Sequence, residues 1–394
     1  MFAYLLSLTS IRILVINAWA KVGSADGAEK AEALLHHMNR KSQTGQSSDE
    51  LIRPDTVVYN AVINAWASSG DPRAGDKALG LLREMKDLAK TEGLDTRPDS
   101  VTYNTILSAW SHSGDPNAAR RTEKIVQEMR NDMQESRDNA PAPNTVSYNN
   151  VLHAWSKSTL PGAATRAHKV LDYMVKSGNK SISPDIVSYT SVLNAYAKSK
   201  EPNKARMTQK LLDQLLAQYE ATQNRNLRPT NIPFNAVLNA CAFSAIGTSL
   251  DEQREALQIA VQTFSSMRKS NVLPDTVTYG NLLKCFANLM PQGQMRYDMA
   301  LQIFEKCCED GQVGVLVWNE VRRAVPNSLL AKQFNLKASP SNLELHDLPR
   351  KWRRSNNSDK RGQKTKDKVT SDAEARPQIK ATITEPSFES GKDL

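Results

Sequence analysis

Cysteine is scarce in this 394-residue chain: Cys241, Cys285, Cys307 and Cys308 form no C-x-x-C pair and have no paired histidines near them. That arrangement gives neither a zinc site nor a disulfide framework, and the four read as small buried or semi-exposed thiols of a reducing compartment. Catalytic signatures are missing too. There is no Gly-rich phosphate loop, no H-E-x-x-H, no G-x-S-x-G and no carboxylate cluster suited to a divalent metal. His36, His37, His112, His153, His168 and His346 are scattered and read as solvated or satisfied side chains. The expectation is a protein that is not an enzyme and holds no metal or cofactor. No apolar run is long and free of charge. The most apolar stretch, residues 1–20, has Arg12 at its centre, and its last five letters, INAWA, recur at 63–67. It reads as part of a repeat, with no signal or membrane role, so the chain is expected to begin inside a repeat.

The charge balance is +9, from 51 Lys and Arg against 42 Asp and Glu. Much of the excess sits at the end: residues 350–394 carry 12 basic and 7 acidic residues, leaving +4 for the rest. An anionic partner is consistent with this balance, but indiscriminate electrostatic attraction is not the main signal.

What the chain has is repetition. PDTVVYNAVINAW at 54–66 returns as PDSVTYNTILSAW at 98–110 and PNTVSYNNVLHAW at 143–155, and the marker aromatics are Tyr59, Tyr103, Tyr148, Tyr189, Phe234, Tyr279 and Trp318. An internal period near 45 residues governs the fold assignment before anything else. Seven residues after the marker stand Trp66, Trp110, Trp155, Tyr196, Cys241 or Phe286, with aliphatics between, which makes one helix face. A second single-face stripe follows, such as Ala78, Leu81, Leu82 and Met85, after a turn marked by GDP at 70–72. Each unit is therefore a helical hairpin, and the chain an all-α solenoid of stacked hairpins. Residues 1–325 form the array, about six units with partial units at each end; 326–349 form a terminal helical cap, and 350–394 a disordered basic tail. The tryptophans lie on the core stripe.

A second line of residues lies off that stripe. Two places before the marker come Val57, Val101, Val146, Val187, Ile232 and Val277; one place after it come Asn60, Asn104, Asn149, Thr190, Asn235 and Gly280. Three residues apart, they share one edge of the helix. An aliphatic beside an amide suits a nucleobase, one packing on the ring face and the other bonding its edge. The alternative is a valine that staples the helix entry and an asparagine that bonds local backbone. The Asp or Asn after each proline also has a plain role as helix N-cap, compatible with either reading.

In these residues, as in PDSVTYNTILSAWSHSGDPNAARRTEKIVQEMR at 98–130, the chain resembles pentatricopeptide repeats, as a P-type array over residues 12–325. The resemblance implies a right-handed α-solenoid that binds single-stranded RNA in mitochondria or plastids, one base per repeat, with the aliphatics clamping successive bases. It further implies that the residue after the aromatic and the residue after the closing proline choose the base together. Asn60 with Asp99, Asn149 with Asp185 and Asn235 with Asp275 then read uracil, Asn104 with Asn144 reads cytosine, and Thr190 with Thr230 leans toward a purine. Gly280 with Gly314 offers no side-chain reader. The implied target core is U-C-U-purine-U, bound by a monomer that acts in RNA processing, stability or translation and recruits proteins for it. The rival is a helical-repeat scaffold for protein assembly, since other solenoids also stack helical pairs at this period.

Overall fold

The computed structural model describes residues 8–43, 53–91, 96–135, 141–244, 249–335 and 344–353. Among them the elements are helices joined by turns, and the chain divides into two compact units, 1–240 and 241–394. In the first unit the helices alternate as the repeat dictates. They are α1 (Leu8–Val22), α2 (Ala25–Gln43), α3 (Thr56–Ser68), α4 (Ala74–Thr91), α5 (Ser100–His112), α6 (Ala118–Glu135), α7 (Thr145–Lys157), α8 (Ala163–Lys176), α9 (Ile186–Lys198) and α10 (Lys204–Thr222). Next in the chain comes α11 (Asn231–Ala242), and the second unit continues with α12 (Leu250–Lys269), α13 (Thr276–Leu289), α14 (Gln294–Glu309), α15 (Val315–Ala324) and α16 (Asn327–Gln333). In the first unit each helix packs on its hairpin partner, and α1, α3, α5, α7 and α9 pack in series, which is a solenoid of stacked hairpins.

The cores follow the stripes expected from the sequence. Tyr59, Tyr103, Tyr189, Trp66, Trp110, Met85, Met129 and Leu215 are all buried, and so are the four cysteines. Trp19 is only half-buried, unlike its counterparts further along. The marker is tyrosine for a reason its hydroxyl supplies: it donates to the second half of the second helix, Tyr59 to Glu84 (2.9 Å), Tyr103 to Asp132 (3.0 Å) and Tyr189 to Gln218 (2.8 Å). The same bond joins Tyr279 to Asp310 in the second unit. A buried phenol thus both fills the core and ties the first helix to the second.

Successive second helices and the turns before them are tied by ion pairs: Glu29 to Arg73 (3.0 Å), Glu32 to Lys77 (3.1 Å), Asp76 to Arg121 (3.6 Å) and Glu123 to Arg166 (2.9 Å), with Lys86 to Asp132 (2.8 Å) in the reverse sense. Largely exposed, such pairs contribute about 0–1 kcal/mol each and mainly set register. In the second unit a buried arginine closes the stack. Arg296 donates to the carbonyls of Ala324 (3.0 Å), Met290 (3.2 Å) and Arg323 (3.2 Å), collecting helix C-terminal acceptors that have no intrahelical partner.

Residues 350–353, expected in the tail, instead form a 3-10 turn. The ring of Trp352 packs edge-on against Phe334 (5.6 Å) and Phe304 (6.3 Å), and its carbonyl accepts from Val313 N–H (2.9 Å). One aromatic outweighs three basic neighbours, so the ordered chain reaches further than its charge suggests. Residues 354–394 lie outside the described residues.

Close packing between hairpins makes one glycine necessary. A Cβ on Gly75 would stand 2.4 Å from the indole of Trp110, whereas one on Gly80, in the same helix, would meet nothing within 4 Å. Gly75→Ala is expected to destabilise the fold by about 1–3 kcal/mol through overpacking, and Gly80→Ala to stabilise it by about 0.5–1 kcal/mol through helix propensity. Chemical denaturation of the two variants checks both signs.

Candidate nucleic-acid interface

Five first helices, α3, α5, α7, α9 and α13, open at a proline followed by an Asp or Asn that caps them. Asp55 accepts from Val58 N–H (2.9 Å), Asp99 from Thr102 (2.8 Å), Asn144 from Ser147 (3.1 Å), Asp185 from Ser188 (2.9 Å) and, in the second unit, Asp275 from Thr278 (2.8 Å). Capping satisfies a backbone donor that the helix leaves orphaned. It also fixes where the following residues point, because the second helical position then falls outside the core stripe. The six aliphatics there are exposed, from 44% at Val277 to 57% at Val101 and Ile232. They are not sealed between hairpins.

The asparagines one turn further on are half-buried, and three reach across to the next hairpin. Asn60 Nδ2 donates to Asp99 Oδ1 (3.2 Å), and Asn149 Nδ2 to both carboxylate oxygens of Asp185 (3.1 Å each). Asn104 Nδ2 approaches Asn144 Oδ1 at 3.4 Å, the longest of the set, because a neutral amide attracts the donor less than a carboxylate. The amide oxygens are held as well: Thr102 Oγ1 donates to Asn60 Oδ1 (2.7 Å), Ser147 Oγ to Asn104 Oδ1 (2.7 Å) and Ser188 Oγ to Asn149 Oδ1 (2.6 Å). Each amide still keeps one N–H and one lone pair for another partner. Partial burial pushes the Asp99 carboxyl up, but the Thr102 N–H and hydroxyl, the Asn60 amide and the Val101 N–H together hold it below its ordinary value.

Other members of the line are arranged differently. Thr190 donates to its own helix at Ile186 O (2.6 Å), and the structure records no bond from it to Thr230, which is exposed. Asn235 is half-buried on α11, and Asp275 caps α13; each belongs to its own unit. Gly280 has no side chain because Leu316, the aliphatic of the next first helix, lies over it: a Cβ there would stand 2.5 Å from Leu316 Cγ.

Sequence reasoning passed over three features. One is the Ser or Thr just before the marker, whose hydroxyl orients the amide. Another is Thr56, Thr145 and Thr276, whose hydroxyls donate to Arg97 O (2.9 Å), Ser183 O (2.9 Å) and Gln312 O (3.0 Å), pinning the loop that leads into the next first helix. The last is a cationic group: Lys157 and Lys198 stand eleven residues after Val146 and Val187, three helical turns along the same line. His153 has its ring 5.0 Å from that of His112, with Nε2 buried and unpartnered. Burial, then Lys157, His112 and Lys198, push His153 down to about 4. One histidine therefore departs from the solvated or satisfied expectation.

Among the described residues no helix is long and apolar enough to cross a membrane, and no group of His, Cys, Asp or Glu is placed to hold a metal ion.

The family model described as pentatricopeptide repeat domain matches residues 81–158, 133–199 and 169–243, and that of the PPR repeat matches 57–88. No curated protein matches the chain. Among solved structures it is similar to the pentatricopeptide repeat protein PPR10 in complex with an 18-nt psaJ RNA element, at 18% identity and a TM-score of 0.41, over 84% of this chain and 44% of that one. A cysteine-to-serine form of PPR10 with the same RNA matches with the same figures. The chain thus spans less than half the length of these relatives.

Because His153 is neutral in the fold at neutral pH and readily protonated once unfolded, its contribution to stability is full above about 6.5 and is lost progressively as pH falls toward 4. Proton NMR titration is expected to give His153 a midpoint about 2 units below a free histidine, and His153→Gln to flatten the stability profile in that window.

Proposed function

The chain is a pentatricopeptide-repeat protein, and from that premise we propose that it binds single-stranded RNA along the edge formed by its first helices, one base per hairpin. The observation that carries the reading is the alternation on that edge: an exposed aliphatic, then an amide whose orientation is fixed from two sides while one N–H and one lone pair stay open. An aliphatic of this kind packs on a base face and the open amide bonds a pyrimidine edge. Val57, Val101, Val146, Val187, Ile232 and Val277 clamp. Asn60 with Asp99 and Asn149 with Asp185 take uracil, Asn104 with Asn144 takes cytosine, and Asn235 with Asp275 takes uracil. Thr190 with Thr230 is assigned a purine, which gives U-C-U-purine-U from the 5′ end. Lys157 and Lys198 supply positive charge beside the strand, where phosphates pass.

The proposed setting is the family's usual one, mitochondrion or plastid. There the protein occupies a transcript as a monomer and so affects its processing, stability or translation, alone or through a recruited protein.

Fluorescence anisotropy with U-C-U-A-U RNA, a scrambled RNA and duplex DNA tests this directly; equal affinity for all three defeats it. Val101→Ser and Val146→Ser are each expected to weaken the matched RNA by about 1 kcal/mol, roughly fivefold. Asn144→Asp makes the second pair chemically identical to the first and is expected to move the preference at the second base from cytosine to uracil. An unchanged preference refutes the pairing even if RNA still binds.

A further inference from the structure

We infer that the hydroxyl residue immediately before the marker aromatic, Thr102, Ser147 or Ser188, is a third specificity residue: it sets the orientation of the amide in the preceding hairpin and so positions that reader. The inference rests on the base-reading proposal and adds a residue to each reading pair.

The geometry repeats in three hairpins. In each, one hydroxyl proton has two acceptors within reach, and the amide oxygen of the preceding hairpin is the nearer. For Thr102 it is Asn60 Oδ1 at 2.7 Å against Asp99 Oδ1 at 2.9 Å. For Ser147 it is Asn104 Oδ1 at 2.7 Å against Asn144 Oδ1 at 3.2 Å. For Ser188 it is Asn149 Oδ1 at 2.6 Å against Asp185 Oδ1 at 3.0 Å. The hydroxyl oxygen meanwhile accepts from the cap residue's own N–H, from Asp99 (3.0 Å), Asn144 (3.2 Å) and Asp185 (3.1 Å), so its proton is free only to point toward the reader or the cap side chain. A donor on one side of the amide and an acceptor on the other leave a single orientation that satisfies both. The open N–H and lone pair are thereby assigned to fixed places along the base edge.

Helix capping alone does not account for the hydroxyl. Asp55 caps α3 with the same proline before it and the same bond to the third residue, yet that residue is Val58. The sequence separates the two roles. Where the preceding repeat carries asparagine after its marker, at Asn60, Asn104, Asn149 and Asn235, the next repeat has Thr102, Ser147, Ser188 and Thr278. Where the preceding repeat carries Ile13, Thr190 or Gly280, the next has Val58, Pro233 or Val317. A hydroxyl is present when there is an amide to orient and absent when there is none.

The dependence is greatest at Ser147. The other side of Asn104 is held only by the neutral Asn144 at 3.4 Å, whereas Asn60 and Asn149 face carboxylates at 3.2 Å and 3.1 Å. Binding of the full chain to U-C-U-A-U RNA and to the three RNAs changed at the second base measures discrimination there. Ser147→Ala is expected to reduce the cytosine preference by about fivefold to tenfold, Thr102→Val to reduce the uracil preference at the first base by less, and Ser147→Thr to keep it. Melting curves accompany each variant. A merely structural hydroxyl predicts equal weakening of all four RNAs in step with the melting temperature, and that result overturns the inference. Full cytosine preference in Ser147→Ala overturns it as well. If the wild-type chain itself fails to discriminate at the second base, the base-reading proposal falls, and this inference falls with it. If the wild type discriminates and the serine variant does so equally, only the inference falls.

Discussion

The N-cap of the first helices α3, α5, α7, α9 and α13 is the interaction on which the rest depends. A proline delivers the chain in extended form, and the Asp or Asn after it bonds the third N–H of the helix, which starts the helix at a fixed residue. From that start the 3.6-residue period sends the aromatic and its followers inward and leaves the second residue outside. The same cap side chain has acceptor capacity left over, and it takes the amide of the hairpin before it. One carboxylate therefore starts a helix, exposes an aliphatic and orients a neighbour's side chain. A substitution there disturbs all three at once, which separates it from the ion pairs on the second helices, each of which touches only register.

The hairpins were legible in the sequence because periodicity and spacing are properties of residue order: the distance from Tyr59 to Met85 equals that from Tyr103 to Met129, and the structure buries all four. The two-faced first helix was legible for the same reason. The hydroxyl bonds at Thr102, Ser147 and Ser188 were not, although the letters were in view, because serine and threonine near a helix start already have a local explanation. Only the distance to an amide some 40 residues earlier shows the second partner. Trp352 was missed by averaging, since a window dominated by lysine and arginine hides one large apolar ring. Gly280 was seen as an empty reader; the structure shows that Leu316 takes up the space.

Nearest-neighbour contacts account for the tolerance of the array to imperfect repeats. Among the described residues of the first unit the main packing is between adjoining hairpins, so a local departure, such as Thr190 bonding its own helix, alters one position and leaves the others intact. Stability is shared in both directions along the array, Trp110 packing back against Gly75 of the hairpin before it, whereas each proposed reading pair joins a hairpin only to the one that follows.

That last arrangement bears on how such a chain is recombined, by gene rearrangement or by design. A fragment cut at the loops, from one proline to the next, would carry only halves of two proposed letters, because its amide answers to a cap downstream and its own cap answers to an amide upstream. On the proposed reading, grafting one hairpin from α5 through α6 into a foreign array would rewrite two adjacent letters, and the fusion point that transplants one letter intact runs through the middle of two helical pairs.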